Sequence, residues 1–339
     1  MNNIKKSIKI NNIIEINDAF SLCSLDNIFS VFNSINNILY LIYSKENKSI
    51  ILFDIINKVK ICEIKNAHNK AITNFRHHLD KKNKRDLVMS ISFDENNIKL
   101  WNINIEIRMS NLECLLNLQK IYDTGYLNSA CFLEDNNNNN IYIFASNFNF
   151  NSFEPIKVFD LNGNKNKEIN ESSDKTYIII SFYDEVTEKN YIVTGNMGFI
   201  KSFNFQENTL YNKYYDNNNR PHFSLACYKD EKILKLIDSC SDGKIRIWNF
   251  HTTELINVID FGVRINNISL FNNKYIFISC YDYNIRILNL KNEIVEDFLG
   301  ITQDIVSLCT IKCHNKENYL IVQGLDIEPI SIYNFEISN

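Results

Sequence analysis

One five-residue phrase occurs seven times in this chain of 339 residues. Each copy begins with Ile, carries a large apolar residue in fourth place and ends with Asp or Asn. From one fourth position to the next the steps are 48, 58, 44, 45, 40 and 45 residues, so the chain repeats one supersecondary unit. The copies occupy residues 50–54, 98–102, 156–160, 200–204, 245–249, 285–289 and 330–334.

The segments around each copy have the length and spacing of strands joined by hairpins. Around the fifth copy, residues 223–228, 233–240, 244–250 and 255–261 read as four successive strands, with Asp242-Gly243 as a tight turn. A period in the forties with four strands per repeat is typical of a propeller blade. We therefore predict an all-β fold, a seven-bladed β-propeller with four antiparallel strands per blade. The predicted blades are about 19–66, 70–122, 127–171, 176–217, 222–262, 265–300 and 303–336 of a single domain, 1–339.

The ends of the chain predict how the ring closes. The last phrase finishes at Asn334, which leaves the seventh blade without a fourth strand, while the strand-like segment 8–16 precedes the first blade. We predict that residues 1–16 supply the missing outer strand, which also protects sheet edges from pairing with other chains.

Alternation within the phrase assigns faces to its side chains. Ile245 and Ile247 share one face of the strand, and Arg246 and Trp248 share the other, so both faces are expected to pack against neighbouring blades. We expect Arg246 to bury its stem and to lead its charged head out to the rim.

Composition suggests how the turns are made. The chain has only 8 Gly and 3 Pro but 55 Asn, a residue that tolerates left-handed backbone and bonds its own main chain. We expect Asn to replace Gly in turns, although an AT-rich genome would also enrich Asn, Ile and Lys without a structural reason.

Charge and cysteine content narrow the function classes. A net charge of −4 and a pI near 5.9 give no signal for nucleic acid. The first six residues lack the apolar core of a signal peptide, and no run of 18 apolar residues predicts a membrane span. We expect the nine Cys to be buried and reduced, in a cytoplasmic or nuclear protein.

Three copies of the phrase resemble the WD repeat. Copy two has Ala67-His68, then Ser90-Ile91-Ser92-Phe93-Asp94, then Ile98-Lys99-Leu100-Trp101-Asn102. Copy five has Asp242-Gly243 before Trp248-Asn249, and copy six has Cys280-Tyr281-Asp282 before Leu288-Asn289. The chain is similar to divergent WD-repeat propellers. The resemblance implies a buried network from His through Ser and Asp to Trp, which we expect only in copy two, from His68, Ser90 or Ser92, Asp94 and Trp101.

Enzyme motifs are absent from the sequence. It contains no GxSxG, GxxxxGK[ST] or HExxH, and its carboxylates show no spacing that indicates acid–base chemistry. Cys309, Cys313 and His314 or the pair His77-His78 are the nearest approach to metal ligands, but neither set has a second motif at zinc spacing. We therefore expect a non-enzyme without metal or cofactor, with these Cys buried and these His in an exposed loop.

The resemblance also implies where partners bind. In WD-repeat proteins the end formed by the loops from fourth to first and from second to third strands is the usual peptide site. The residues placed there are His68, Asp94, Glu95, Asn196, Asp242 and Asp282. Asp94, Asp242 and Asp282 recur at equivalent turns, which is also what purely structural turn residues would do.

A basic run is the most unusual charge feature. Lys81, Lys82, Lys84 and Arg85 lie within residues 76–85, which the blade template assigns to the first turn of blade two. The cluster suits phosphates, an acidic partner or anionic lipid, and it equally suits a solvated hairpin tip.

The leading functional prediction is a non-enzymatic protein-interaction scaffold, a subunit or adaptor of a multiprotein complex whose partner proteins the sequence does not identify. The alternatives are a propeller that binds phosphoinositides or anionic membrane, and a substrate receptor of a ubiquitin ligase. Against them, the chain has no Arg-Arg-Gly, and no Arg follows Trp101-Asn102 or Trp248-Asn249 at the position expected for a Trp-Asp-x-Arg motif.

Overall fold

A computed structural model describes residues 8–19, 28–106, 109–148, 154–230, 233–291, 295–298, 305–324 and 329–337. Within these ranges the chain forms 28 strands and their turns. No helix in the described part of the chain is long and apolar enough to cross a membrane. The segment Leu22-Cys23-Ser24, which reads as a strand with a buried Cys, lies outside the described residues.

The strands, in chain order, are β1 (Ile8–Ile16), β2 (Phe29–Asn33), β3 (Leu39–Lys45), β4 (Ser49–Asp54), β5 (Val59–Ile64), β6 (Asn74–Asp80), β7 (Arg85–Ser92), β8 (Asn97–Glu106), β9 (Met109–Leu118), β10 (Tyr126–Asp135), β11 (Asn140–Phe148), β12 (Lys157–Asp160), β13 (Lys165–Glu168), β14 (Ile178–Asp184), β15 (Lys189–Gly195), β16 (Phe199–Asn204), β17 (Thr209–Tyr215), β18 (His222–Asp230), β19 (Ile233–Cys240), β20 (Lys244–Asn249), β21 (Leu255–Asp260), β22 (Ile265–Phe271), β23 (Tyr275–Cys280), β24 (Ile285–Asn289), β25 (Val295–Phe298), β26 (Ile305–Lys312), β27 (Asn318–Gly324) and β28 (Ile330–Ile337).

These strands form seven four-stranded antiparallel sheets. Six sheets use four consecutive strands, from β2–β5 to β22–β25, and in each the repeated phrase lies in the third strand. The first strands, β2, β6, β10, β14, β18, β22 and β26, contact one another in sequence, and β26 contacts β2. The predicted seven-bladed propeller is therefore confirmed as a closed ring with the first strand of each blade innermost.

The seventh sheet joins the two ends of the chain. Its order is β1-β28-β27-β26, and β1 pairs antiparallel with β28 from Ile8 opposite Ile337 to Ile16 opposite Ile330. The predicted closing strand therefore exists. Because β1 covers the outer edge of β28, the seventh blade has four strands like the others.

The core is divided among the interfaces between blades. Seven hydrophobic clusters each draw side chains from two neighbouring sheets. Ile245 and Ile247 pack towards blade six, and Trp248 packs towards blade four with Tyr214 and Phe250. The predicted packing of both sheet faces is confirmed, and burial of each such side chain contributes about 1.5–3 kcal/mol.

Asn takes over many turn positions, as predicted. Nine Asn residues have a positive φ between 50° and 68°. At the tip of the first hairpin in blade two, Asn83 donates its backbone N–H and its amide to the Asp80 carboxylate, at 3.0 and 2.8 Å. Asp54 and Asn57 make the same pair of bonds at 3.0 and 2.8 Å, so the turn chemistry repeats.

Candidate interaction face

One end of the ring carries the predicted partner-binding residues. Because strands alternate in direction, the second-to-third turns and the fourth-to-first connections emerge at the same end, which we call the loop face. His68 lies in the connection 65–73, and Asp94 and Glu95 lie in the turn 93–96. Asn196, Asp242 and Asp282 lie in the equivalent turns of blades four, five and six. The opposite end, formed by the first-to-second turns, is called the tip face.

In blade two, a chain of hydrogen bonds runs from the core to the loop face. Trp101 donates its indole N–H to Ser90 Oγ at 2.8 Å, and Ser90 Oγ is 2.7 Å from His68 Nε2. His68 Nδ1 is 3.1 Å from Glu95. Since an ionised carboxylate only accepts, Nδ1 carries the proton and Ser90 donates to Nε2. Burial holds the pKa of His68 below the usual histidine value, which favours this neutral form.

The carboxylate in this network is not the one expected. Asp94 was predicted to complete it, but Asp94 is exposed and Glu95 turns inward instead. Besides His68, Glu95 accepts the backbone N–H groups of Asn69 at 2.5 Å and Lys70 at 2.8 Å. The longer Glu side chain reaches the connection 65–73 and holds it in place. The spacing in the sequence had pointed to Asp94 for this role.

A second network lies in blade five, where the expectation of a network in copy two alone was wrong. His222 Nδ1 is 2.8 Å from Asp238 Oδ1, and Trp248 donates its indole N–H to Asp238 Oδ2 at 2.6 Å. Asp238 stands one strand position before Ser239, and it replaces the Ser of the family pattern. Sequence reasoning missed it because no Gly or Ala precedes His222, and because an apolar strand interior gives no sign that a carboxylate is tolerated there.

The charged group of Arg246 was expected at the solvent-exposed rim. Instead, Arg246 is buried, with only 4% of its surface exposed. Its guanidinium pairs with Asp216 at 2.9 Å and with Asp242 at 2.5 Å. The expectation failed because Asp216, in the connection 216–221, supplies a buried carboxylate that makes burial of the charge tolerable. Asp242 also accepts the N–H of Lys244 at 3.1 Å, so it acts as a turn residue and as an ion-pair partner.

Blades four and six anchor their turns in related ways. Asp282 accepts two bonds from Arg286, at 2.9 and 2.6 Å, and this guanidinium lowers the pKa of Asp282 to about 2. Asn196 is fully buried, where it accepts a bond from Thr176 at 3.0 Å and donates to Thr194. His68 and Asn196 thus support the loop face from beneath its surface.

An arc of aromatic side chains runs over this anchored end of the ring. We define the aromatic arc by six rings and one cation: Phe93, Tyr126, Phe148, Tyr177, Phe223, Tyr281 and Arg264. At one end, Phe93 stacks on Tyr126 with ring centroids 4.6 Å apart and planes within 9°, and Phe93 lies 6.4 Å from Phe148.

The arc continues through blades four to six. Tyr177 lies edge-on between Phe148 at 5.6 Å and Phe223 at 5.7 Å. The Arg264 guanidinium carbon is 4.9 Å from the Phe223 ring and 6.0 Å from the Tyr281 ring. Tyr126 and Tyr281 leave 43% and 56% of their surface exposed. The arc was not predicted, because its members occupy two different strand ends that the repeated phrase does not mark.

The basic run divides between a strand and a turn. Residues 76–80 belong to β6, so only residues 81–84 form the turn that was predicted for the whole run. Lys81, Lys82 and Lys84 are exposed on the tip face, at the opposite end from the aromatic arc. Arg85 begins β7, and its guanidinium donates to the buried carboxylate of Asp80 at 2.8 Å.

The His and Cys residues considered above as possible metal ligands pack against other parts of the protein. His77 and His78 lie in β6 and are partly buried, not in an exposed loop as expected. His77 stacks on Phe32 at 3.8 Å and contacts Asp86 at 2.8 Å, and burial lowers the pKa of His78 to about 4. Cys313 is buried, and burial raises the pKa of the Cys309 thiol to about 12. Within the described ranges, neither set belongs to a cluster of three metal-ligating groups.

Together, the closed ring, the buried Trp networks and the anchored loop face define a seven-bladed β-propeller whose fold is consistent with the WD-repeat type. Comparison of the sequence with protein-family models and with curated proteins finds no match.

Proposed function

We propose that the protein is a non-enzymatic interaction scaffold that binds partner proteins on its loop face, and that it is a divergent WD-repeat propeller. The Trp101–Ser90–His68–Glu95 chain supports the family assignment, because its Trp, Ser and His are those of the WD network, with Glu95 in place of the Asp. The eight described Cys are free thiols, which supports a reducing compartment, cytoplasm or nucleus.

The aromatic arc is the observation that carries this proposal. Tyr and Phe supply large contact area at little cost in conformational entropy, and such residues dominate binding energy at protein interfaces. Phe93 lies in the turn that Glu95 anchors, and Tyr126 and Phe148 stand at strand ends. Tyr177 and Phe223 are buried, so the exposed contact area comes mainly from Tyr126 and Tyr281. A surface organised before binding loses less entropy when a partner docks.

Arg264 of the arc and Lys175 beside it indicate the chemistry of the partner. Arg264 lies over Phe223 and Tyr281, and the Lys175 ammonium lies 4.7 Å from the Phe148 ring centroid. A partner segment with acidic side chains between apolar ones would pair with these cations while its apolar groups cover the rings.

The test compares affinity purification of three forms of the protein from native lysate, with partners read by mass spectrometry. We expect the wild type to recover a defined set of proteins and the Y126A/Y281A variant to lose that set. The matched control is Val186→Ala, since Val186 is 64% exposed but lies on the tip face. Recovery of the wild type alone as a monomer, or full retention of partners by Y126A/Y281A, would refute the proposal.

A further inference from the structure

Asp216, His222 and Cys240 converge where blade four passes into blade five. Asp216 lies in the connection after β17, His222 begins β18, and Cys240 ends β19 directly opposite His222 in the strand register. Their potential ligand atoms all lie within 4.8 Å of one another. The side chains of Asp216 and His222 are 3% and 1% exposed, and Cys240 is fully buried.

The His222 ring has one nitrogen engaged and one directed at this cluster. Asp238 lies 2.8 Å from Nδ1 and accepts its proton, which in the neutral ring leaves the lone pair on Nε2. Nε2 is buried and has no hydrogen-bond partner among the described residues. It lies 3.8 Å from Asp216 Oδ2, which is too long for a hydrogen bond. In the neutral ring a lone pair faces a carboxylate, and either a proton or a metal ion on Nε2 would relieve this repulsion.

The negative charges around the site also favour a bound cation. Three carboxylates, from Asp216, Asp238 and Asp242, lie in this largely buried region, where Arg246 pairs with Asp216 and Asp242 while Asp238 contacts the His222 ring. Unbalanced negative charge in a buried site is costly, and a bound dication would offset it.

We propose that Asp216, His222 and Cys240 form a metal site that binds Zn²⁺. Imidazole, thiolate and carboxylate are the ligands that Zn²⁺ takes in proteins, and three protein ligands leave one position for water. Cys240 binds as the thiolate and releases its proton to solvent, with no change of oxidation state. Asp238 completes the arrangement, because zinc-bound His commonly donates its other N–H to a carboxylate.

The ion would join the connection 216–221 to the first hairpin of blade five. Asn218 of that connection donates to Asp216 and Asp242, so a metal at Asp216 would fix the same loop that these bonds orient. The site is independent of the scaffold proposal, because neither Tyr126 nor Tyr281 takes part in it.

Blade six offers a matched control within the same chain. Cys280 ends β23 as Cys240 ends β19, and it is equally buried, but Ile265 stands opposite it where His222 stands in blade five. Cys280→Ser therefore makes the same chemical change at the same place in a blade without the imidazole.

The experiment uses the full chain with any affinity tag removed, stripped with a chelator and then supplied with Zn²⁺ or Co²⁺. We expect one Zn²⁺ per chain by elemental analysis in the wild type and in C280S, with at least tenfold weaker binding in C240S and D216N. Zn²⁺ should raise the melting temperature of the wild type and of C280S, but not that of C240S or D216N.

Binding of Co²⁺ to the wild type should produce a thiolate-to-cobalt charge-transfer absorption band that C240S lacks. The presence of the band in the wild type does not depend on the folding of any variant. Absence of that band in the wild type, or Zn²⁺ affinity in C240S equal to that of the wild type, would overturn the proposal.

Discussion

Ile16, in the first strand of the chain, lies opposite Ile330 in the last, within one antiparallel pair. The two residues are 314 positions apart in sequence. They also share a hydrophobic cluster with side chains of blade one. This pairing makes the ring a single closed unit, and it means that stability of the seventh blade depends on the N-terminal segment.

Deletion of residues 1–16 should lower both the melting temperature and the solubility, because it exposes the backbone edge of β28 and opens a core cluster. A milder form of the test is Ile16→Asn, compared with Asn11→Ser at an exposed position of the same strand. We expect only the Ile16 change to destabilise the protein. Unchanged melting after the deletion would show that β1 does not hold the ring closed.

Loss of the indole N–H should lower the free energy of unfolding more in blade five than in blade two. Trp248 donates to the carboxylate of Asp238, whereas Trp101 donates to the neutral hydroxyl of Ser90. Hydrogen bonds to charged groups contribute about 1.5–3 kcal/mol and neutral ones about 0.5–1.5 kcal/mol. We expect urea unfolding to rank Trp248→Phe below Trp101→Phe in stability. Equal losses would show that the Asp238 and Ser90 acceptors contribute equally to stability.

Truncation of Trp248 to Ala should be more damaging than its replacement by Phe. The side chain is 3% exposed and packs against Tyr214, so Ala leaves a cavity between blades four and five. Such truncations cost about 3–5 kcal/mol. An unfolding free energy within error of that of Trp248→Phe would show that packing at this interface contributes little.

Substitution of Glu95 should loosen the loop face, whereas substitution of its neighbour Asp94 should not. Glu95→Ala removes the acceptor of the Asn69 and Lys70 N–H groups, so hydrogen exchange at those two amides should accelerate. Asp94→Ala removes an exposed carboxylate and should leave both amides protected. If the two variants exchanged alike, Glu95 would not be the anchor of the connection.

Stability should fall as the pH drops below about 6.5, and His68 should account for part of the fall. Histidine in the unfolded chain binds a proton near pH 6.5, while burial keeps the pKa of folded His68 lower. Between these two values the unfolded state holds the extra proton, so acid favours unfolding. Unfolding midpoints of the wild type should decline more from pH 7 to pH 5 than those of His68→Gln. Parallel curves would exclude this contribution.

The tip-face lysines should behave as a solvated hairpin tip. We expect K81E/K82E/K84E to leave retention on acidic phospholipid vesicles unchanged, with zwitterionic vesicles as the reference. Arg85 is kept in this variant because its removal would leave the buried Asp80 carboxylate without its cation. Retention of the wild type that the triple variant loses would restore the anionic-partner hypothesis.

The sequence alone determined the ring and its closure, because both depend on local periodicity. A phrase such as 245–249 repeats the alternation that makes a third strand, and the strand-like segment 8–16 ahead of the first blade predicted the strand that pairs with β28. It also predicted that Asn would occupy left-handed turn positions, and nine of the 18 non-Gly residues with positive φ in the described ranges are Asn.

Only the tertiary structure decided which polar side chains meet. Glu95 rather than adjacent Asp94 turns inward to His68, and Asp216 of one blade meets Arg246 of the next, so neither choice is encoded by spacing within one repeat. The aromatic arc and the Asp216–His222–Cys240 cluster have the same origin. Their members come from neighbouring blades or from paired strands, and blade packing and hairpin pairing bring them together, which the repeated phrase does not show.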